Sequence, residues 1–480
     1  MADPAAVNPP TTVRALIGDA WCSLGGGTVI LANPASGEPI GEMALGTSAD
    51  AAAAVEAARA AYPDWSKMPL NRRLALMFRL RALLDANAED LARLITREHG
   101  KTLDESRGDV RRGIEVVELA CGAQAYLAGE SHGEMGASID ALTWREPIGV
   151  CVGITPFNFP AMVPLWMFPV ALVCGNTFVL KPSEKVPQTA VRLGELVREA
   201  GFPPGVFNLV HGAREVVEAL CSHPAVAAIS FVGSTVVAES VYRMGTHHGK
   251  RVQAAGGAKN ALVVLPDAAP ESTLRGIMGA AIDAIRIGDA SRNDEVGMGP
   301  LVDAAGKERV LRGIECGLRE GAELVRDGRR GIPPPGILSA PRSSTTRSPT
   351  AGSPGRSGSA RCSPSSVRPT SRRPSLGSMD TITATAPSFA PGTGAPPAGS
   401  AGRSVVAWSG SMSPCRPHSR LMRFPAGIAA FLATCTCRAA RDSISTPGKS
   451  WYSAGGIPAI NEASAGDSVL PAGSRGKAAF

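Results

Sequence analysis

Between residues 150 and 265, short apolar segments alternate with segments of helical periodicity, and this alternation constrains the fold more than any other feature of the 480-residue chain. The strand-like segments are 150–155, 177–181, 206–210, 227–232, 252–255 and 261–265, and the helical ones are 188–199, 215–222 and 236–242. Strands separated by helices at this spacing pair in parallel, with the helices crossing over the sheet. The sequence therefore predicts an α/β fold built on a parallel sheet.

Helical periodicity is also clear outside this region. Apolar residues at helical spacing predict helices over 50–62, 71–98 and 103–129, with Gly100 as a stop signal. Two more are predicted over 276–281 and 304–323, and the regular pattern ends after Arg330. The 33 residues from 148 to 180 carry no charge, but prolines at 156, 160, 164 and 169 would break a membrane-spanning helix. We expect a strand, a loop and a short helix there.

The composition changes at residue 331. Residues 331–480 contain 16 basic and 4 acidic residues and 19 of the 39 prolines, so this tail carries +12, whereas residues 1–330 carry 33 basic and 38 acidic residues, or −5. The tail's basic residues are dispersed and its aromatic residues are sparse, so we expect it to bind neither nucleic acid nor a membrane. Binding of the tail to nucleic acid or anionic lipid is the alternative. Its low-complexity composition predicts a disordered C-terminal segment.

Cysteine spacing and the N-terminus bear on metals and location. The ten cysteines lack the paired spacing of metal ligands, so we expect no metal site and reduced thiols. Residues 1–13 contain neither a basic residue nor an apolar core of the kind found in secretory or transit signals. Together these observations predict a cytoplasmic protein.

The segment Ile-Thr-Pro-Phe-Asn-Phe-Pro at 154–160 follows a predicted strand. Its two prolines stiffen the backbone around the Asn158 amide. A rigidly held amide donor can stabilise a developing oxyanion without reorganisation. The alternative is that Asn158 caps the following helix.

The segment Leu-Lys-Pro-Ser-Glu-Lys at 180–185 lies at the carboxyl end of a predicted strand, where open α/β sheets bind ligands. Lys181 and Glu184 could bind a ribose and its phosphate, with the carboxylate accepting from vicinal hydroxyls. A solvated charge cluster is the alternative, above all for Lys185.

The segment Phe-Val-Gly-Ser-Thr at 231–235 opens a predicted helix. Gly233 permits close backbone approach, and Ser234 with the helix N-terminus can bind a pyrophosphate. A simple helix cap explains Ser234 equally well. The chain has no Gly-x-Gly-x-x-Gly here, so the common dinucleotide fingerprint does not support this assignment.

Together these segments resemble the aldehyde dehydrogenase superfamily and, within it, the CoA-acylating methylmalonate-semialdehyde dehydrogenases. The resemblance extends from about residue 18 to residue 265. It is densest at 153–160, 164–169, 174–184, 227–234 and 250–260. It implies NAD-dependent oxidation of a small aldehyde through a cysteine thiohemiacetal, followed by acyl transfer to CoA, in valine and pyrimidine catabolism.

The resemblance also implies roles for individual residues. Asn158 would be the side-chain half of the oxyanion hole, and Arg112 would bind a substrate carboxylate unless it belongs to a solvated face with Arg111. The residues implied to contact NAD are Thr155, Phe157, Lys181, Glu184, Lys185, Ser234 and Gly256. Water-using relatives carry a glutamate before the Gly-Gly pair as general base, whereas this chain has Gln253-Ala254-Ala255, which favours CoA.

The chain departs from the family after residue 280. The family continues into a segment such as Gly-Gln-Arg-Cys that carries the nucleophile, whereas residues 280–290 contain no cysteine. Cys221 and Cys316 lie on helical patterns elsewhere, where packing is the better explanation. We therefore expect the nucleophile segment to be deleted and the chain to be inactive. The alternative is a non-catalytic NAD-binding pseudoenzyme or a defective translation product.

The tail lacks the family's late glutamate, its Phe-Gly-rich segment and its final strand. Our hypothesis is a shifted reading frame of a GC-rich gene, because 427–437 resemble an out-of-frame version of a late family segment. A genuine low-complexity appendage is the alternative. The predicted organisation is an NAD-binding domain at 1–129 and 149–265, an oligomerisation hairpin at 130–148, an incomplete catalytic domain at 266–330, and the tail at 331–480. The family forms homo-oligomers through this hairpin and the missing strand.

Overall fold

The computed structural model describes residues 11–136, 139–257 and 285–321, together with residue 267 and pieces at 260–261, 323–324, 345–346, 383–384, 436–444 and 452–453. Contacts divide the chain into two units. The larger consists of Met1–Leu127 and Glu146–Thr436, and the smaller of Ala128–Arg145 and Cys437–Phe480.

The strands and helices of the described residues are numbered in chain order. The strands are β1 (Thr11–Val13), β2 (Ala15–Ile17), β3 (Ala20–Cys22), β4 (Thr28–Ala32), β5 (Pro39–Ala44), β6 (Ser131–Gly136), β7 (Ile139–Pro147), β8 (Val150–Ile154), β9 (Thr177–Lys181), β10 (Phe207–Leu209), β11 (Val226–Gly233), β12 (Arg251–Gly256), β13 (Asn260–Ala261), β14 (Glu323–Leu324), β15 (Thr345–Thr346), β16 (Thr383–Ala384), β17 (Thr436–Ile444) and β18 (Tyr452–Ser453). The helices are α1 (Ser48–Lys67), α2 (Leu70–Ala86), α3 (Ala88–His99), α4 (Leu103–Cys121), α5 (Ala123–Leu127), α6 (Met162–Val173), α7 (Gln188–Glu199), α8 (Arg214–Ser222), α9 (Thr235–His247) and α10 (Ala304–Arg319).

A seven-stranded sheet of order β12-β11-β8-β9-β10-β2-β3 forms the centre of the larger unit. Strands β8 to β12 pair in parallel, whereas β2 is antiparallel to both β10 and β3. The chain runs outward from β8 through β9 to β10, then returns to the other side of β8 for β11 and β12. This arrangement confirms the predicted α/β fold with a parallel sheet.

Helices cover both faces of this sheet, which explains why β8 and β9 are buried at every position. Alternate side chains of each strand enter different apolar clusters, as the two-residue period of a strand requires. Cys151 and Phe178 pack among residues of α2, α3, α4, α6 and α7. Val152, Ile154 and Val179 pack among residues of α1, α8 and α9.

Local sequence signals set the ends of several helices. Thr47 and Thr102 each form a capping box with the acidic residue three positions later, at the starts of α1 and α4. Gly100 ends α3 in the left-handed conformation, with φ of 88°, and so confirms the predicted stop signal.

Strand β5 pairs with β1 and β4 in a separate three-stranded sheet.

Two predicted helices are each divided in the structure. The predicted helix over 71–98 was wrong at Asn87, which separates α2 from α3 and donates its side-chain N–H to the Leu83 carbonyl. A side-chain amide that bonds the backbone in this way competes with the helical pattern. The predicted helix over 103–129 divides at Gly122 into α4 and α5.

The uncharged stretch from 148 to 180 folds into β8, a loop, α6 and β9, as expected. Among the described residues, the structure has no helix both long and apolar enough to cross a membrane. The predicted helix at 276–281 and most of the predicted strand at 261–265 lie outside the described residues.

The smaller unit contains a four-stranded sheet of order β18-β17-β7-β6. Strands β6 and β7 form an antiparallel hairpin with an irregularity between His132 and Gly136. The regular sequence pattern ends after Arg330, and within the tail the structure describes β17, a nine-residue strand beside β7. A free hairpin edge offers backbone donors and acceptors that a segment without strong apolar periodicity can still satisfy.

Candidate functional site

The three segments predicted to carry chemistry meet at the carboxyl edge of the central sheet. Strands β9, β8, β11 and β12 are parallel neighbours in that order, and they end at Lys181, Ile154, Gly233 and Gly256. The direction in which the chain adds strands reverses between β8 and β11. Open α/β sheets bind ligands in the crevice outside such a reversal.

The loop after β8 begins with a buried polar residue. Thr155 is 5% exposed, and its N–H donates to the Lys181 carbonyl across 3.1 Å, which ties the ends of β8 and β9 together. Its Oγ1 is buried without a hydrogen-bond partner among the described residues. Such an atom has free hydrogen-bonding capacity that a ligand can use.

Phe157 contacts the side chains of His99 and Lys185. Its ring stacks on the His99 imidazole at a centroid distance of 6.1 Å, and the Lys185 ammonium lies 4.7 Å from its centroid. Burial lowers the pKa of His99 to about 3, and the charge of Lys101 acts in the same direction. The His99 ring that stacks on Phe157 is therefore neutral.

Asn158 is exposed, and its backbone carbonyl accepts a hydrogen bond from a lysine. The Lys101 ammonium donates to the Asn158 carbonyl oxygen across 2.7 Å and lies 3.1 Å from Oδ2 of Asp109. Oδ1 of Asp109 accepts from the Met162 N–H across 2.7 Å. One buried ion pair therefore fixes both ends of the 158–162 loop.

The alternative that Asn158 caps the next helix is wrong. Helix α6 begins at Met162, and its N-cap position is occupied by Ala161, which makes no side-chain capping bond. The Asn158 side chain is thus not used by the helix. Its role in an oxyanion hole stays a prediction.

Lys181 and Glu184 form an ion pair at the end of β9. Nζ of the buried Lys181 lies 3.1 Å from Oε2 of Glu184, whose side chain is 41% exposed. Partial burial acts to raise the pKa of Glu184, but the Lys181 charge and hydrogen bonds outweigh it and hold that pKa below its usual value. Glu184 therefore presents an ionised acceptor to the crevice.

Lys185 pairs with a residue that the sequence did not single out. Its ammonium forms an ion pair with Asp303, which is also the N-cap of α10 and accepts from the Gly306 N–H. The alternative of a solvated cluster does not describe Lys185, because this pair joins it to a helix 118 residues away in sequence.

Gly233 and Gly256 are paired at the ends of β11 and β12, next to the start of α9. A Cβ on Gly256 would lie 2.6 Å from Cβ of Ala238 and 2.9 Å from Cα of Thr235, so only glycine allows α9 this close. Ser234 occupies the N-cap position of α9, but its side chain makes no capping bond. The hydroxyl and the first N–H groups of α9 are therefore available to an anion.

These features fit a dinucleotide. Among the described residues, the crevice presents an ionised carboxylate beside a lysine at β9, a threonine hydroxyl without a hydrogen-bond partner at β8, and a helix N-terminus whose serine makes no capping bond at β11. Vicinal hydroxyls and a pyrophosphate require this combination of acceptors and donors. The described residues contain no group of three or more His, Cys, Asp and Glu side chains that could hold a metal ion.

Arg112 lies apart from this set. It is exposed on α4, and no hydrogen bond or ion pair joins it to a described residue. Arg111, beside it, is exposed as well. The structure does not bring Arg112 into contact with the sheet edge, and its role as a carboxylate ligand stays a prediction.

None of the segments at this edge contains a cysteine. Of the described cysteines, Cys151, Cys174 and Cys221 are buried in the apolar clusters. Burial raises the pKa of Cys221 and of the half-buried Cys121 to about 11 in each case. A thiol with such a pKa has little of the thiolate form that attacks a carbonyl.

Sequence reasoning missed Lys101, Asp109, His99 and Asp303. One signal was available for Asp109, because it lies on the same helical face as Gly113, Val116 and Val117, which are buried. A carboxylate within an apolar stripe indicates a buried partner. Asp303 precedes the predicted helix over 304–323, as an N-cap residue does, but no signal indicates its contact with Lys185.

Comparisons with known proteins find relatives in one family. The family described as "Aldehyde dehydrogenase family" matches residues 21–284. Malonate-semialdehyde dehydrogenase 1 of Oceanobacillus iheyensis is 45% identical over 332 residues, 63% of this chain and 68% of that protein. A Sinorhizobium meliloti 1021 protein, described as a methylmalonate-semialdehyde dehydrogenase complexed with NAD, has a TM-score of 0.67 at 36% identity, covering 70% of this chain and 76% of its own. An NADP-dependent E. coli enzyme has a TM-score of 0.65 at 28% identity, covering 71% and 77%.

Proposed function

We propose that this chain, which belongs to the aldehyde dehydrogenase family, binds NAD at the carboxyl edge of its central sheet, in the site that a related enzyme would use to oxidise malonate or methylmalonate semialdehyde to an acyl-CoA. The observation that carries the proposal is the meeting of three separate segments at the reversal between β8 and β11. The similarity to malonate- and methylmalonate-semialdehyde dehydrogenases supports the choice of substrate.

Each side chain at the edge has a proposed contact with the nucleotide. The Lys181 and Glu184 pair would bind a ribose, and Ser234 with the α9 N-terminus would bind the pyrophosphate. Gly233 and Gly256 have no side chain, so the nucleotide can approach the backbone closely at these positions. Thr155, Phe157 and Lys185 would line the crevice between these two ends. When bound, NAD supplies the acceptor for the hydride of the aldehyde.

The reacting carbonyl would face Asn158. The exposed side-chain amide of Asn158 would donate to the carbonyl oxygen of the substrate as negative charge develops there. The hydrogen bond from Lys101 to the backbone carbonyl of Asn158 would keep this donor in place. Arg112 would hold the substrate carboxylate from α4.

The residues before Gly256 support CoA as acyl acceptor. No carboxylate precedes the Gly-Gly pair, and Oε1 of Gln253 accepts from the Ser230 hydroxyl across 3.0 Å. Gln253 is therefore engaged within the sheet and offers no base to activate water. A thiol such as that of CoA is the acceptor that best suits a site of this kind.

The missing nucleophile sets the expected rate. None of the described cysteines lies at this edge, so we expect the covalent route to be closed, and losses of this type reduce turnover by about 10³-fold or more.

The proposed organisation keeps the NAD-binding domain at 1–129 and 149–265 and the oligomerisation hairpin at 130–148. The catalytic remnant is 266–330, and the tail, from a shifted frame, is 331–480.

Calorimetry with NAD, followed by an assay of NADH formation with malonate semialdehyde and CoA, tests the proposal. We expect saturable NAD binding at one site per chain and very slow NADH formation. A chain that binds no NAD would contradict the cofactor assignment. NADH formation at an ordinary enzymatic rate would contradict the deletion of the nucleophile.

A further inference from the structure

The charges at the sheet edge are matched in pairs. Lys181 is paired with Glu184 across 3.1 Å, and Lys185 is paired with Asp303. The two lysines and two carboxylates therefore cancel. Lys101, the neighbouring cation beneath the loop, is committed to Asp109. Lys181, Lys185 and Lys101 therefore offer no uncommitted ammonium to a further phosphate group, and the charge of the exposed Arg309 on α10 acts on Asp303 as well.

Lys185 is the more exposed of the two lysines. Its side chain is 32% exposed and that of Asp303 is 27% exposed, whereas Lys181 is 6% and Glu184 41% exposed. The Lys185 ammonium also lies over the ring of Phe157, one residue before Asn158. It is therefore held at the mouth of the crevice, between the end of β9 and the loop after β8.

We propose that Asp303, acting through Lys185, makes this site select a dinucleotide with a free 2′-hydroxyl over one with a 2′-phosphate. The inference rests on the proposed NAD site. A 2′-phosphate is a dianion that needs a nearby cation, and Asp303 both occupies the available ammonium and repels the added charge. A 2′-hydroxyl carries no charge and can donate to the ionised Glu184 instead.

The fold itself leaves this selection open. Solved proteins of similar fold include one complexed with NAD and one described as NADP-dependent. The choice must therefore depend on side chains at the site. Asp303 reaches the site from α10, outside the strands and loops that form the crevice.

The test compares the dissociation constants for NAD and NADP, measured by calorimetry, in wild type and Asp303→Asn. Asparagine caps helices as well as aspartate, so the substitution removes the charge and keeps the cap of α10. We expect the ratio of NADP to NAD affinity to rise about tenfold. Asp303→Ser, which also retains a capping oxygen, should give the same direction of change.

The double variant Asp303→Asn/Lys185→Met isolates the role of Lys185. If the gain in NADP affinity requires the released ammonium, the double variant returns to near the wild-type ratio. Normal NAD binding with an unchanged ratio in Asp303→Asn, or a gain that survives removal of Lys185, would overturn the inference alone. A wild-type chain that binds no NAD would overturn the proposed function and the inference with it.

Discussion

The buried ion pair between Lys101 and Asp109 predicts a large loss of stability when either partner is removed alone. Nζ of Lys101 lies 3.1 Å from Oδ2 of Asp109, and the two side chains are 9% and 0% exposed. Lys101→Met leaves the Asp109 carboxylate buried without a counter-charge. Breaking a buried pair in this way typically lowers the free energy of unfolding by about 3 to 5 kcal/mol.

The loss should depend on pH. Burial already acts to raise the pKa of Asp109, and the Lys101 charge acts against it. Without Lys101 that pKa rises further, so the folded protein binds a proton that the unfolded chain releases. Stability conferred by a group with a raised pKa is present at low pH and lost as pH rises. The cost of Lys101→Met is therefore expected to be smaller near about pH 5 than near about pH 8.

Urea unfolding monitored by circular dichroism measures these costs, with Lys101→Met/Asp109→Asn as the decisive variant. The neutral amide oxygen introduced at position 109 can still accept from the Met162 N–H, and no charge stays buried. We expect the double variant to cost about 1 to 2 kcal/mol, less than either single substitution. The exposed pair of Arg59 and Glu56 is the matched control, and Arg59→Met should change stability little. Single variants no worse than this control, or additive costs in the double variant, would refute the reasoning.

Two further predictions concern a buried acid and a glycine contact. Burial raises the pKa of Glu98 to about 7, so the free energy of unfolding should fall as pH rises from about 4.5 to 7. Glu98→Gln should flatten this slope in urea unfolding. Equal slopes in the wild type and the variant would contradict the prediction. Gly256→Ala places a Cβ 2.6 Å from that of Ala238, so calorimetry should show NAD affinity at least about tenfold weaker. Gly108→Ala, whose Cβ meets no atom within 4 Å, is its control and should bind NAD normally; equal affinity in both variants would remove the steric argument.

The parts of the fold that follow from local sequence were predictable. The bounds of β9 and α7 match the predicted segments 177–181 and 188–199, because an unbroken apolar run and a clear helical period mark them. The convergence of the three site segments also follows from sequence, since the ends of adjacent parallel strands share one edge. The break at Asn87 was not predictable from periodicity, because apolar spacing continues across it.

The contacts that fix the site were not predictable in the same way. Lys101 and Asn158 are 57 residues apart, and Lys185 and Asp303 are 118 apart. Hydropathy patterns report which face of an element is buried, but they do not report which charged side chains meet between elements. These pairs depend on tertiary packing, and no local sequence signal indicates that Asp303 meets Lys185.

Hydrogen exchange measured by mass spectrometry, with and without NAD, tests most directly whether the sheet edge is the nucleotide site. We predict slower exchange on addition of NAD for backbone amides in 155–160, 183–185 and 233–238, because these lie at the carboxyl ends of β8, β9 and β11. The exchange rates of peptides from β6 and α2 should be unchanged by NAD. Protection confined to other parts of the chain, or no protection at saturating NAD, would contradict the account.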